Sequence, residues 1–274
     1  MLELPEAFVM SNQLKDALLG DVITRVLVNQ SPHKFAWYFE NPQVYESRLQ
    51  GLPLTDVVPL AGQVEMQFGD MRLVLSDGVN IRLYDHQESV PNKHQLLIGF
   101  QSGRALVFSV QMYGGLMAFY ADENQNPYYL VAKMKPSPLT DDFDKAYFLN
   151  LVNEEQKNPS LKAFLATEQR IPGLGNGVLQ DILYNAKLHP KRKLKTLTDQ
   201  EVEALFESIK NTLREMTDKG GRDTEKDLYG NTCGYFTRLS SKTLDEPCYK
   251  CGDIIHKESF MGGSIYYCGS CQIL

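Results

Sequence analysis

The sequence predicts an α+β protein: one N-terminal helix, then an antiparallel β-sandwich or barrel, then a helical domain that ends in a small cysteine-bearing unit. Three observations predict it. Apolar and β-branched runs separated by turn signals fill residues 1–134, closely spaced prolines interrupt them, and the apolar spacing beyond is helical. The chain has 274 residues, 43% hydrophobic and 23% charged, which is enough for one large or two ordinary domains with real cores.

The elements follow in order. Pro5 to Leu19 reads as a helix, with Pro and Glu in its first turn and Gly20 at its end. Strand-like runs follow at Val22 to Val28, Phe35 to Phe39, Met71 to Leu75, Val79 to Leu83, Gln95 to Phe100, Ala105 to Val110 and Leu116 to Tyr120. Ser76-Asp77-Gly78 and Gln101-Ser102-Gly103 both suit hairpin turns. Lys135-Pro136-Ser137-Pro138-Leu139 stiffens the chain against helix or central strand and reads as a linker. Helical spacing then covers Asp142 to Asn153, Ser160 to Glu168, Gly177 to Ala186 and Asp199 to Lys219. The last opens with a capping box, Thr198 with Glu201, and stops at Gly220-Gly221. The expected division is 1–134, a linker at 135–141, a helical domain at 142–221 and a connecting segment with the terminal unit at 222–274.

Mean hydropathy is −0.31, and the longest apolar stretch falls far short of the roughly 20 residues of a membrane span. Glu3 and Glu6 stand where a secretory signal would be basic and then apolar, which points to a cytosolic address. The net charge of −6 argues against a surface coated in cations. That charge is unevenly placed: residues 186–274 carry +1 and residues 1–185 carry −7.

Cys248-Tyr-Lys-Cys251 and Cys268-Gly-Ser-Cys271 are two CxxC pairs with 16 residues between them. Each pair lets two thiolates meet one metal ion, and two pairs complete a tetrahedral, closed and therefore structural Zn²⁺ site. Residues around Gly262-Gly263 suit a hairpin between the pairs, as in a zinc ribbon. Redox pairs or disulfides are the weaker reading, because a redox CxxC needs one pair and a βαβ setting. Cys233 stands apart and is expected to be an inert or partly buried thiol.

Ile171-Pro-Gly173-Leu-Gly175-Asn176-Gly177 lies between two helical stretches. Its glycines permit close approach of another backbone, and the free N–H groups of the next helix suit a phosphate, to which the Asn176 amide could add a donor. An ordinary turn with Asn176 as the helix cap fits the same residues equally well. Lys187-Leu-His-Pro-Lys191-Arg192-Lys-Leu-Lys195 is the densest basic run and reads either as a solvated loop or as a phosphate contact, through Lys191 and Arg192, beside that turn.

Taken together, the LELPE start, the GLGNG turn followed by a helix and His-Pro, and the terminal CxxC-x16-CxxC ending in Gln272 resemble the formamidopyrimidine-DNA glycosylase and endonuclease VIII family. KPSPLTDDF at 135–143 is similar to that family's interdomain connection, and Arg170 to Lys191 to its helix-two-turn-helix element. The resemblance implies an N-terminal β-sandwich, a helix-two-turn-helix domain and a C-terminal zinc ribbon holding one Zn²⁺. It also implies a partner, double-stranded and damaged DNA, bound by a monomer in the bacterial cytosol or on the nucleoid.

The implied activity is that of a DNA glycosylase with associated β-elimination (AP lyase) chemistry. An N-terminal amine attacks the sugar C1′, ejects the base and forms a Schiff base, and the following Glu moves protons. An ordinary α-amine, with a pKa of about 7.7 to 8.0, keeps a useful neutral fraction for this work. Glu3 is in place, but the family's Pro at position 2 is Leu2 here, and a bulky second residue normally preserves Met1. The amine therefore belongs to Met1, or to Leu2 after processing. Glu3 also suits a first-turn carboxylate favoured by the helix dipole. Other departures fall on DNA-facing positions: the family's phosphate-binding Lys corresponds to Gln63, its Arg-Arg-Phe wedge to Gln111-Met112-Tyr113, and its ribbon-tip Arg to Gly262-Gly263. Met112 and Tyr113 suit the gap left by an extruded base, or equally a core. The alternative is a catalytically silent relative that binds damaged or bent DNA, or a protein partner, without chemistry.

Overall fold

The computed structural model describes residues 1–274 and divides into two compact units. The first comprises Met1–Lys133 with Thr224–Cys233, and the second Met134–Asp223 with Gly234–Leu274. No helix is long and apolar enough to cross a membrane.

The first unit opens with helix α1 (Leu4–Leu18), whose Ala7, Met10, Leu14 and Leu18 repeat at helical spacing and are buried. Its sheet is built from β1 (Ile23–Val28), β2 (Ala36–Tyr38), β3 (Asp56–Leu60), β4 (Gln63–Phe68), β5 (Met71–Tyr84), β6 (Leu96–Phe100) and β7 (Ala105–Tyr120), with the short helices α2 (Tyr45–Leu49) and α3 (Pro127–Met134). The strand order is β1-β6-β7-β5-β4-β3, all antiparallel, and β2 pairs in parallel with β7. Both halves of β5 and of β7 send side chains into one shared core, Leu73, Leu75 and Leu116 from one half and Ile81, Leu106 and Phe108 from the other.

The turn expected at Ser76-Asp77-Gly78 is not a hairpin. Met71–Tyr84 is a single strand with a bulge there, and its partner is likewise continuous, so the four short strands expected in these regions are two long ones. Local turn chemistry survives as geometry: Asp77 takes φ 57°. Long-range pairing decides the rest, since β7 answers the bulge with the extra residues Gln111 to Tyr113. Glycine is required at position 78, where a Cβ would lie 2.5 Å from the Tyr113 carbonyl oxygen. The Gln101-Ser102-Gly103 turn does join β6 to β7. The β3–β4 hairpin went unread in the sequence because its turn, Leu60-Ala61-Gly62-Gln63, lacks the usual polar pair, although Ala61 sits at φ 57°.

Residues 224–233 complete this unit from far along the sequence. Leu228 is fully buried in the sheet core, its carbonyl accepts the Leu83 N–H at 3.0 Å, and its own N–H donates to Gln13 Oε1 at 3.0 Å.

The second unit contains α4 (Lys145–Glu154), α5 (Leu161–Ala166), α6 (Asn176–Asn185) and α7 (Asp199–Asp218), then the hairpin β8 (Ile255–Phe260) and β9 (Gly263–Cys268). Phe143, Phe148, Phe164 and Phe206 form its aromatic centre. The capping box on α7 forms as the sequence predicts, and Gly220 and Gly221, at φ 78° and 99°, end that helix.

Candidate functional site

Within the first unit the chain start is pinned twice. Leu2 buries its side chain in the core, and its N–H donates to the Asp77 carbonyl at 2.8 Å. The Met1 ammonium forms an ion pair with Glu225, on the segment that returns to this unit. A small cavity beside it is lined by Met1, Leu2, Glu6, Arg82 and Glu225.

Glu3 stands one residue before α1 in extended backbone, its carbonyl accepting the Ala7 N–H at 2.9 Å, and its side chain makes no capping bond. It is 4% exposed. Tyr113 and Tyr128 feel its charge, and both also feel that of Asp77. Burial holds the Asp77 carboxyl above its ordinary value, against hydrogen bonds from Ser76 at 3.1 Å and from Tyr128. Burial, then the charges of Asp77 and Glu3, push the Tyr113 and Tyr128 phenols up. The sequence did not point to Asp77 or Tyr128; Asp77 read as a turn residue and Tyr128 as part of no pattern.

The remaining expectations in this unit separate. Gln63 heads β4 and is 2% exposed. Met112 is 65% exposed, and the Tyr113 ring lies 5.8 Å from that of Trp37, so the Gln111-Met112-Tyr113 excursion is not core.

In the second unit the glycine turn closes through the Leu174 N–H to the Ile171 carbonyl, with Gly173 at φ 78°. Gly175, not Asn176, occupies the cap position of α6. Asn176 begins the helix and reaches the ribbon: its Nδ2 donates to the Ser264 carbonyl at 3.0 Å, while its buried Oδ1 has no partner. Gln180 adds a donor to the same carbonyl and accepts the Tyr266 N–H at 3.0 Å. Lys162 of α5, 5% exposed, donates to the Phe260 carbonyl at 2.6 Å, has no carboxylate partner, and is held below its ordinary pKa by burial. A Cβ on Gly263 would meet Lys162 Nζ at 3.3 Å. The turn, α5 and the ribbon tip thus converge on Lys162, Asn176 and Gly263. Nothing in the sequence marked Lys162, an isolated cation in an apolar helix.

Lys191 and Arg192 do not present two free cations. Lys191 pairs with Glu258 and Arg192 with both carboxylate oxygens of Glu201. Side-chain bonds from Arg192, then the Thr198 N–H, hold the Glu201 carboxyl at about 2. A carboxyl depressed in the folded state adds stability that is fully present above its unfolded value, near 4.5, and is lost as pH falls through about 2. Thermal unfolding followed from about pH 6 to pH 2 should show Glu201→Gln less stable by about 1 kcal/mol at the upper end, the curves converging in acid. Parallel curves would show that the pair contributes nothing.

The four ribbon cysteines bring their Sγ atoms within 4.8 Å of one another. Contacts run at 3.4 Å (Cys251 to Cys268), 3.5 Å (Cys251 to Cys271) and 3.8 Å (Cys248 to Cys271), and all five cysteines are free thiols. Four sulfurs at about 2.3 Å from one Zn²⁺ lie about 3.8 Å apart, so the set fits a tetrahedral ion. Tyr184 of α6 places its hydroxyl 2.9 Å from Cys248 Sγ, as an outer-shell partner would. Cys233 is buried elsewhere, and burial pushes its thiol up to about 11.

Fold and site define a class: a protein that joins an antiparallel β-sandwich unit to a helix-two-turn-helix domain with a four-cysteine ribbon. Residues 134–227 match the family described as "Formamidopyrimidine-DNA glycosylase H2TH domain". The formamidopyrimidine-DNA glycosylase of Wolbachia pipientis wMel is 28% identical over 99% of this chain and 100% of its own length, and that of Legionella pneumophila strain Philadelphia 1 is 29% identical over 99% and 98%. The same fold occurs in the MutM (Fpg) protein of Thermus thermophilus, with a TM-score of 0.82, 21% identity and coverage of 98% of both chains. A complex between the Lactococcus lactis Fpg and an abasic-site-containing DNA shares it at a TM-score of 0.85, with 22% identity over 99% and 100%. Residues 134–227 thus match the H2TH domain, and the whole chain is similar in sequence and in fold to proteins named formamidopyrimidine-DNA glycosylase.

Proposed function

We propose that this chain is a damaged-DNA glycosylase of base-excision repair with associated lyase activity. Glu3 carries the reading: a carboxyl group shielded from water, two residues from the α-amine, whose charge acts on Tyr113 and Tyr128. The neutral amine of Met1, or of Leu2 where Met1 is removed, bonds to the sugar C1′ as the bond to the damaged base breaks and the base leaves with a proton. Glu3 takes the proton that the attacking nitrogen sheds and passes it to the ring oxygen as the nitrogen's electron pair opens the sugar ring; the Glu3 carboxylate so restored then takes the C2′ proton as the C3′–O bond breaks and the 3′ phosphate leaves. Relatives named formamidopyrimidine-DNA glycosylase over their full length support the class of reaction. The amine must first leave Glu225, a movement of one terminal residue while Leu2 stays anchored.

On the second unit, the α6 N-terminus with Gly173, Gly175 and Asn176 is the surface we assign to DNA phosphate, with the ribbon tip beside it. The four thiolates Cys248, Cys251, Cys268 and Cys271 would hold one structural Zn²⁺ that orders that tip.

A silent, DNA-binding relative is the second reading. It is supported by the burial of Gln63 and by the ion pairs of Lys191 and Arg192 with carboxylates. Borohydride trapping on duplexes with an abasic site or an oxidised base decides between the two. An adduct mapping to the N-terminal peptide is the expected result, whereas binding without an adduct on any lesion establishes the silent reading.

A further inference from the structure

A departing base needs a proton, and Glu3 is already occupied with the one that the attacking nitrogen sheds. A second carboxyl group lies in the same unit. Asp77 sits at the bulge of β5, paired with Gly114 of β7, in the left-handed region at φ 57°. That backbone geometry accounts for a turn-forming residue but not for a carboxyl group, since Asn or Gly adopts it as readily.

The Asp77 backbone carbonyl accepts the Leu2 N–H at 2.8 Å, which ties this residue to the second position of the chain. It therefore stands beside the amine, whether that amine belongs to Met1 or, after processing, is the Leu2 nitrogen itself. Its carboxyl group is met by two hydroxyls, Ser76 Oγ donating to Oδ2 at 3.1 Å and Tyr128 in the first turn of α3, with no Lys or Arg among the groups that act on it. Burial without a compensating cation favours the protonated form. Tyr113 and Tyr128 feel Glu3 as well as Asp77, so the two carboxyl groups share one neighbourhood. Paired carboxyl groups with different partners suit a division of labour, one giving a proton to a leaving group while the other serves the sugar.

We propose that the Asp77 carboxyl group is the general acid that protonates the departing base, with Ser76 and Tyr128 as positioning residues for the carboxylate left behind. As the amine bonds to C1′, the bond from C1′ to the base breaks, its electron pair goes to the base nitrogen, and the Asp77 proton neutralises the base. The new carboxylate keeps the hydrogen bonds of Ser76 and Tyr128, and water returns its proton before the next turnover. This role rests on the glycosylase reading and concerns one step of it.

An abasic site has no base to release, so it separates this step from the rest. Asp77→Asn keeps the size, the tolerance of left-handed backbone and the carbonyl that holds Leu2, and has no proton to give. On full-length protein, single-turnover base release from duplexes each carrying one oxidised base, formamidopyrimidine among them, is expected to fall by roughly 10²- to 10⁴-fold, while incision of the same duplex with an abasic site stays within a factor of about two of wild type. Tyr128→Phe removes a donor to the carboxylate and should slow base release by roughly tenfold, again without effect at the abasic site. Full base release by Asp77→Asn overturns the assignment and leaves the glycosylase reading intact. Equal losses on both kinds of duplex overturn it in favour of a structural role at the chain start. A wild-type chain that releases no base from any duplex overturns both.

Discussion

Glu3→Gln is expected to lower strand incision at a damaged base by roughly 10²- to 10⁴-fold, the range over which a positioned acid or base contributes to rate. The substitution keeps shape and volume and removes the capacity to give and take a proton, on a side chain that makes no helix cap. Two measurements together make this informative: incision by gel and duplex affinity by anisotropy. A loss of incision with affinity within a factor of about two places Glu3 in the chemistry. An unchanged incision rate would relocate proton transfer, with Asp77 the next candidate because burial already favours its protonated form. Incision that persists when the amine is blocked by acetylation would remove the N-terminus from the mechanism altogether.

Cys268→Ala should have the largest structural effect. Cys268 is fully buried, contacts Cys251 and lies in the small core formed by Tyr184, Leu239, Cys248 and Ile255. Structural Zn²⁺ binding in comparable units amounts to roughly 10–16 kcal/mol near neutral pH, far more than so small a hairpin could recover from its own apolar burial. Metal analysis of the purified chain is expected to find one Zn²⁺ in wild type and a sub-stoichiometric amount in the variant, with new proteolytic cleavage C-terminal to about residue 246. Tyr184→Phe should lower zinc affinity by a milder 10- to 100-fold. The effect should spread, because the ribbon supplies the Phe260 and Ser264 carbonyls that hold Lys162, Asn176 and Gln180. Wild-type protein isolated without metal and with disulfides between the pairs would refute the assignment.

What could be read from the residues depended on how far each feature's cause extends along the chain. The α7 capping box and the cysteine pairs are local chemistry, and both appear where the sequence places them. Ser76-Asp77-Gly78 is also local chemistry, and its backbone geometry is as expected, but pairing with β7 turned a hairpin signal into a bulge. Lys191 reads as a free cation because its neutralising partner, Glu258, is 67 residues away. Lys162 belongs to no pattern and Asp77 only to that turn: burial gives each its character. The α6 N-terminus was legible as a glycine turn, yet the exchange of roles between Gly175 and Asn176 needed the Ser264 carbonyl, which no spacing reveals.

The return of residues 224–233 to the first unit also orders events during synthesis. Folding on the ribosome generally proceeds from the N-terminus domain by domain. Here the sheet core lacks Leu228, and the Met1 ammonium lacks Glu225, until every helix of the second unit has been made. The amine end of the chain is therefore among the first residues to emerge and among the last to reach its final surroundings.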